Sequence, residues 1–437
     1  MRNVSDPARL AAHAVLMAVL QNGAALDCAL TRRLEQQHDS TSRRFAHRLV
    51  MTVLRRHGAL KMLIRQLLDQ PLPTNAQAVD LLLELGLAQL MCMDVPDHAA
   101  IDSTVSLTEP LKLRRYRSLT NAVLRRAQRE RDALLPIVND PQISVPDWLA
   151  RRWRNRFGSI TIKAIAAAHQ KEPPLDISVA GNPARWAKKL DGKPLTGLTV
   201  RRQATAVASL EGYEEGHWWV QDAAAALPAR LLLTQVGRAD GPILDLCAAP
   251  GGKTAQLLNA DHDVVAVERS ARRLRRLNKN LRRLKRTATI IEADAVTWRA
   301  NRFPAILVDA PCSATGTIRR RPDIPWTKSE ASIRSLTAIQ AAILHNAIAH
   351  LEPGGVLVYA VCSLEPEEGP YQIAQALSRH SDLMRLPIRE DELDILADAR
   401  TDVGDVQTLP SHLSSSGGVD GFFIARLTKL RRRINRK

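Results

Sequence analysis

The chain has 437 residues, a formal charge of +17 and only five cysteines, none of them in a Cys-x-x-Cys pair or in a histidine cluster at zinc-ligand spacing. These numbers argue against a single core, a disulfide framework and a structural metal site. No leader-like N-terminus or bilayer-length apolar run occurs, which predicts a soluble cytoplasmic protein, and the positive charge predicts a polyanionic partner: nucleic acid, or alternatively an anionic membrane surface.

The first 140 residues are predicted to be entirely helical. Their apolar residues recur at helical spacing and fit helices at about 6–21, 43–69, 75–93, 97–108 and 114–131. The Leu-rich stretch from Val79 to Met93 also holds Asp80 and Glu84, which favours a central buried helix of a bundle over a membrane span. We therefore predict an all-α domain over residues 1–140.

The composition changes between residues 141 and 225. Short strand-like stretches, prolines and five tryptophans occur there, the tryptophans at positions 148, 153, 186, 218 and 219. Tryptophans among the arginines at 151, 152, 154 and 156 could stack on bases, and they could equally fill a core. We predict a small α+β domain that connects the flanking domains and contributes to RNA binding, and we assign no individual tryptophan to RNA.

From about residue 226 strand-like runs alternate with helical segments. The runs lie at 242–247, 263–268, 288–292, 305–309 and 355–362, and the helices near 253–260, 270–285 and 331–350. This alternation is typical of βαβ units and predicts an α/β domain with a doubly wound sheet over residues 226–437. A closing pair near 404–409 and 421–427 is predicted to add antiparallel edge strands.

Two cysteines directly follow strand-like runs. Cys312 lies in DAPCS at residues 309–313, and Cys362 lies in YAVCS at residues 359–363. Ligands bind at the carboxyl ends of parallel strands, so both thiols are expected to face one crevice. Thiolates are strong nucleophiles at neutral pH, and two at matching positions predict covalent catalysis. Each thiol taken singly could instead be a small buried apolar group.

The run DLCAAPGGKT at residues 245–254 is a strand that enters a small-residue turn and opens a helix. Small side chains let a ligand approach the backbone, and a helix N-terminus favours a carboxylate or phosphate. The run ends like a P-loop, but Cys247 stands where that motif needs its first glycine. Glu268 ends the next strand and Asp294 follows the third, so two carboxylates outline an adenosine pocket. An adenosyl cofactor is favoured over a nucleoside triphosphate.

Three runs together resemble the signature motifs of the S-adenosylmethionine-dependent RNA cytosine-C5 methyltransferases. They are residues 245–254, 309–317 (DAPCSATGT) and 359–363, and RRPD at 320–323 continues the second. In the N-terminal part, VPDHAAI at 95–101 and LTNAVLRR at 119–126 resemble the helical RNA-binding domain shared with the antitermination factor NusB. The combination resembles bacterial methyltransferases of small-subunit ribosomal RNA and implies a Rossmann-like catalytic domain.

The resemblance implies a role for each motif residue. Cys362 would be the nucleophile, Cys312 the residue that helps product release, and Asp309 the group that binds the cytosine edge and belongs to the cofactor site as well. Glu268 and Asp294 would contact the cofactor adenosine. Seven residues would cradle its methionine part through their backbone: Cys247, Ala248, Ala249, Pro250, Gly251, Gly252 and Lys253.

The implied reaction is methylation of C5 of a cytosine in 16S ribosomal RNA, alone or within an assembling small subunit, with S-adenosylmethionine as cofactor and a covalent Cys–C6 adduct. Transfer RNA is an alternative substrate, and a non-catalytic RNA-binding or assembly factor is an alternative function. A P-loop NTPase is disfavoured by Cys247. We expect a monomer with no metal and no membrane partner.

Two basic runs add to this prediction. Residues 269–286 contain ten arginines or lysines and no acidic residue, with leucines at 274, 277, 281 and 284. This spacing predicts a helix with buried leucines and an exposed face that follows RNA phosphates, although a merely solvated face is the default interpretation. The tail at 429–437 has six basic residues and is predicted to become ordered when RNA binds.

Overall fold

A computed structural model describes residues 6–35 and 39–431. They form two compact units. The helical unit comprises the described residues up to Gln170 together with Arg320–Lys328, and the sheet unit comprises Lys171–Arg319 and the described residues from Ser329 onward. None of the described helices combines the length and the apolar character that a bilayer crossing requires. Of the predicted basic tail, residues 432–437 lie outside the described residues.

The helical unit contains no strand among its described residues, as predicted. All residues from 81 to 90 are buried, which confirms the central helix predicted from the leucines. Within that helix the buried Glu84 has its Oε2 atom 2.6 Å from Nδ1 of His57. The helices are α1 Pro7–Leu20, α2 Leu26–Leu34, α3 Ser40–Leu67, α4 Gln77–Cys92, α5 Asp97–Ser106, α6 Arg117–Arg129, α7 Arg131–Asn139 and α8 Asp147–Gln170.

Helix α8 corrects the prediction of short strand-like pieces after residue 141. Its buried residues follow helical spacing separately on each side of Gly158: Leu149 and Trp153 before it, and Ile162, Ile165 and Ala166 after it. Gly158 interrupts it with φ of +81°, and the preceding prolines and the arginines between the apolar positions hide the period. The interruption is a backbone conformation that glycine adopts readily, so one helical segment gives two short sequence signals.

Residues 175–220 form a small antiparallel sheet in the strand order β2-β3-β1-β4. Its elements are β1 Leu175–Val179, α9 Pro183–Lys189, β2 Lys193–Thr196, β3 Thr199–Arg202 and β4 Trp218–Val220. Asp176 and Arg201 form a buried bidentate ion pair with two N–O distances of 2.7 Å. Trp218 and Trp219 are buried, as is Trp153, and these three therefore fill cores.

The large sheet has eight strands in the order β10-β12-β9-β8-β5-β6-β7, with β11 paired to β12. Strands β5 to β9 pair in parallel, which confirms the predicted parallel sheet. The closing pair is antiparallel as predicted, but β12 lies inside the sheet because the unpredicted β10 covers it. The strands are β5 Ile243–Leu246, β6 Val264–Glu268, β7 Thr289–Glu292, β8 Phe303–Asp309, β9 Leu351–Val361, β10 Leu383–Arg385, β11 Val406–Gln407 and β12 Phe423–Lys429.

Helices cover both faces of this sheet. The helices are α10 Ala223–Leu233, α11 Gly252–Asn259, α12 Ala271–Arg283, α14 Glu330–His350 and α15 Pro370–Arg379, and α13 Ile324–Thr327 belongs to the helical unit. Leu231, Leu257 and Leu277 of α10, α11 and α12 pack in one apolar core. Ile343 and Ile373 of α14 and α15 pack in the other. The sheet is therefore doubly wound, and its ligand-binding edge is where the parallel strands end.

Candidate active site

Four neighbouring parallel strands bring the predicted site residues to one edge of the sheet. β5 leads into the turn at Cys247, β6 ends at Glu268, β8 ends at Asp309, and Cys362 follows β9. Register aligns these ends, since Leu246 pairs with both Val267 and Val308, and Asp309 pairs with Ala360. The sequence pattern of a strand followed by a predicted site residue therefore corresponds to one cluster in the structure.

The two predicted cysteines lie in contact. Their Sγ atoms are 3.4 Å apart, and both thiols are free and half-buried. The loops that hold them are joined by a hydrogen bond of 3.0 Å from the Gly316 amide to the Cys362 carbonyl. A single reacting atom can therefore be reached by both sulfurs.

The surroundings of the two thiols differ. The hydrogen bond with Cys362, followed by burial and the nearby negative charges, raises the pKa of Cys312 well above its ordinary value. Cys312 therefore keeps its proton at neutral pH and can donate it to the sulfur of Cys362.

Glu368 ties the two cysteine loops together, and sequence reasoning missed it. Its Oε1 accepts hydrogen bonds from the Ser313 amide at 2.8 Å and from Gln340 Nε2 at 3.1 Å, and its Oε2 accepts one from Ser363 Oγ at 2.5 Å. Each serine directly follows a cysteine. Burial raises the pKa of Glu368. The repeated Cys-Ser was a signal, but the run EPEE at 365–368 resembles a solvated loop.

Asp309 pairs with Lys253. The Lys253 Nζ atom lies 2.8 Å from Asp309 Oδ2, and the lysine is almost fully buried against the ring of Phe422, with Nζ 5.2 Å from its centroid. Lys253 thus occupies the first turn of α11 with its backbone and reaches Asp309 with its side chain. The pair links the small-residue turn to the carboxylate predicted for the substrate edge.

A small cavity of about 50 Å³ lies beside the turn. Glu268, Asp294 and Cys247 line it together with apolar walls from Val267 and Ile339. Glu268 Oε2 is buried and accepts no hydrogen bond from any described residue, although Arg273 Nη1 lies 3.1 Å away. A buried carboxylate oxygen that accepts no hydrogen bond within the described part of the fold suits a ribose hydroxyl, and the apolar walls suit a purine ring, so the residues present fit an adenosyl group.

Asp294 also lines this cavity, and one of its carboxylate oxygens is already hydrogen-bonded within the fold. Its Oδ1 accepts a hydrogen bond of 2.9 Å from the Val296 amide, and its Oδ2 is 3.9 Å from Arg269 Nη1. It remains partly exposed. Its second oxygen can still accept a hydrogen bond from a ligand amino group at the cavity wall.

The turn at residues 247–253 is held by helix α12. Arg273 donates to the Ala249 carbonyl, and Asn280 Nδ2 donates to the Pro250 carbonyl at 2.8 Å. Gly251 has φ of +100°, and a Cβ there would lie 2.5 Å from Leu277 Cδ1, so only glycine fits. The amides of Ala248 and Gly251 are bonded within the fold, while Gly252 opens α11.

Cys247 is a half-buried thiol in the left-handed conformation, with φ of +64°. Burial, followed by the charges of Glu268 and Asp309, raises its pKa to about 12. Cys247 therefore stays protonated and does not serve as a nucleophile.

Comparison with known proteins gives two family matches and close relatives. Residues 232–428 match the family described as 16S rRNA methyltransferase RsmB/F, and residues 6–129 match the NusB family. The ribosomal RNA small subunit methyltransferase B of Cronobacter sakazakii is 36% identical over 439 residues, covering 96% of this chain and 98% of its own. The protein of that name from Pseudomonas syringae pv. tomato is 36% identical over 449 residues, covering 97% of each chain.

Two solved structures share the fold. The crystal structure of PH0851 has a TM-score of 0.75 and 18% identity, and the match covers 97% of this chain and 99% of that one. NSun6 from Pyrococcus horikoshii has a TM-score of 0.56 and 20% identity, covering 65% of this chain and 98% of that one. At these identities the likeness concerns the fold alone.

Proposed function

Since the chain belongs to the RsmB/F family of 16S rRNA methyltransferases and is an S-adenosylmethionine-dependent enzyme, we propose that it methylates C5 of a cytosine in 16S ribosomal RNA through a covalent bond between Cys362 and C6. The observation that carries the proposal is the 3.4 Å contact between the two sulfurs. That contact lies on the same sheet edge as the cavity that Glu268 and Asp294 line.

The first chemical problem is that C5 of cytosine is not nucleophilic. Addition of the Cys362 thiolate to C6 turns C5 into the carbon of an enamine, which can take a methyl group. Asp309 binds the N3/N4 edge of the base and favours protonation there as the sulfur adds. S-adenosylmethionine supplies an electrophilic methyl group on its sulfonium.

The second problem is release. After transfer the C5 proton must leave and the bond between Cys362 Sγ and C6 must break. Cys312 keeps its proton and lies 3.4 Å from the departing sulfur. It gives that proton to the Cys362 sulfur and takes the C5 proton in exchange, and N3 releases to solvent the proton that it gained as the sulfur added. Both thiols and the neutral base are thereby restored, and one proton is released.

The cofactor assignments follow the cavity. Glu268 would hold the ribose hydroxyls, Asp294 the adenine amino group, and the backbone of residues 247–253 the methionine part. Lys253 would also hold Asp309 in place through their 2.8 Å contact.

The proposal further includes a monomer that acts on RNA in the cytoplasm without a metal. The region up to residue 140 serves as a NusB-like RNA-binding domain, residues 141–225 connect, and residues 226–437 carry the chemistry. The family match over residues 6–129 supports the first of these assignments.

The test is methyl transfer from labelled S-adenosylmethionine to unmethylated 16S rRNA and, separately, to unmethylated tRNA, with products mapped by bisulfite sequencing. One bisulfite-resistant cytosine in the 16S rRNA, and none in tRNA, is expected. Transfer to tRNA alone would overturn the substrate. RNA binding without transfer to either would favour an assembly factor.

A further inference from the structure

Helix α12 presents an outer face made of cations. Leu274, Leu277 and Leu281 are buried in the sheet core, so the residues about half a turn away point outward. Those outward residues are Arg275, Arg276, Lys279 and Arg282, and all four are exposed. No acidic residue occurs between positions 269 and 286.

Arg273 and Arg283 lie nearer the sheet, and both already have partners within the fold. Arg273 donates to the Ala249 carbonyl and pairs with Glu268. Arg283 donates to the Trp218 carbonyl at 3.1 Å and lies 4.0 Å from the centroid of the Tyr213 ring. These arginines fasten α12 to the cofactor turn at one end and to the loop before β4 at the other.

The outer cations have no such role. The side chains of Arg275, Arg276, Lys279 and Arg282 make no hydrogen bond and no ion pair with any residue that the structure describes. Like charges three and four positions apart on a helix repel one another. A fixed helix that keeps four of them together without an acidic neighbour needs its counter-charge from outside the chain.

We propose that the outer face of α12, formed by Arg275, Arg276, Lys279 and Arg282, binds the phosphate backbone of the RNA beyond the target nucleotide. The inference rests on the proposed function and adds the path that the RNA strand takes beside the active site. The helix begins where Arg269 and Arg273 line the cofactor cavity. From Arg275 to Arg282 the face spans about 10 Å, which lets it contact successive phosphates.

An RNA backbone fits this face better than an anionic membrane does. Interfacial helices insert exposed apolar side chains beneath their cations. The leucines of α12 are buried in the sheet core, so the exposed face has nothing to insert. Its charges contact phosphates without reading bases.

The test compares two double variants with matched chemistry. Arg275→Gln/Arg282→Gln removes two outer cations of α12. Arg334→Gln/Arg379→Gln removes two exposed arginines from α14 and α15, which cover the opposite face of the sheet. Equilibrium binding of 16S rRNA fragments is measured over a salt series. The α12 variant should lower the slope of log K against log[salt] by about 1.4, while the α14/α15 variant keeps the wild-type slope.

An unchanged slope in the α12 variant, or equal losses in both variants, would overturn the inference. Loss of binding to phosphatidylserine vesicles with unchanged RNA binding would assign the face to lipid instead and equally overturn it. Methyl transfer at saturating RNA separates this result from the proposed function. The α12 variant should raise KM for RNA about tenfold and keep kcat. A wild type that transfers no methyl group would refute the function while the salt slopes remain measurable.

Discussion

Cys312 and Cys362 differ in their neighbours, and the difference supports a division of labour. The hydrogen bond with Cys362, burial and the charge of Glu368 raise the pKa of Cys312, which keeps its proton in place. The serines after both cysteines hold the same carboxylate. Neither the distance between the sulfurs nor Glu368 could be predicted from the sequence, because the bonded residues are 50 and 55 positions apart.

Replacement of Glu368 by alanine should damage both loops at once. The Ser313 amide, the two serine hydroxyls and Gln340 would lose their shared acceptor. We expect a loss of about 3 kcal/mol in the free energy of unfolding, measured by urea denaturation, together with loss of methyl transfer. Glu390→Ala, at an exposed position, is the control and should change neither. Wild-type stability in Glu368→Ala would refute this role.

Asp245 should make stability depend on pH. It is fully buried, Oδ2 accepts a hydrogen bond from Thr254 Oγ1 at 2.6 Å, and Oδ1 has no partner among the described residues. Burial raises its pKa to about 7. A raised pKa stabilises the fold at low pH, and that contribution is lost as the pH rises from about 4 through 7.

The isosteric Asp245→Asn variant lacks this ionisation. The free energy of unfolding of the wild type, relative to that variant, should therefore fall by about 3 kcal/mol between pH 5 and pH 8. Urea denaturation of both proteins at the two pH values measures it. A difference that stays constant with pH would mean that Asp245 does not titrate in this range.

At the scale of elements, strand ends were predictable and one long helix was not. The runs ending at Glu268 and Asp309 gave β6 and β8 because parallel strands buried on both faces are continuous apolar segments. The helical spacing of the leucines in α12 predicted its buried face correctly. Helix α8 was missed because Gly158 divides it, and β10 was missed because three residues carry too little periodicity.

Lys279→Glu should stabilise α12 while it weakens RNA binding. Position 279 lies three or four residues from Arg275, Arg276, Arg282 and Arg283, so a glutamate replaces repulsions by attractions. We expect a gain of about 1 kcal/mol in the free energy of unfolding and weaker RNA binding. Lys279→Gln, which only removes charge, should show a smaller gain. A destabilised Lys279→Glu protein would contradict the view that these cations repel.

At the scale of the whole molecule, one segment of nine residues belongs to the helical unit, although the residues before and after it in sequence belong to the sheet unit. Residues 320–328 lie in the helical unit. There Trp326 Nε1 donates to the Leu54 carbonyl at 3.1 Å and its ring centroid lies 4.7 Å from that of His57. Periodicity and composition report local structure, so they gave no sign of a contact across 272 residues.

Trp326→Ala should loosen this segment. Residues 322–325 are buried, and loss of the indole removes packing and one hydrogen bond, so we expect about 2 kcal/mol of destabilisation and faster trypsin cleavage after Arg320. Trp326→Phe keeps most of the packing and should be cut more slowly than the alanine variant. Cleavage at the wild-type rate in Trp326→Ala would show that the contact does not hold the segment.

The central claim is that Cys362 forms the covalent bond and Cys312 resolves it. Each cysteine is replaced by alanine separately, the variants are incubated with 16S rRNA and S-adenosylmethionine, and protein–RNA adducts are resolved on a denaturing gel. Cys312→Ala should accumulate an adduct, and Cys362→Ala should form none and transfer no methyl group. The reverse pattern, or normal turnover in Cys362→Ala without an adduct, would contradict the account.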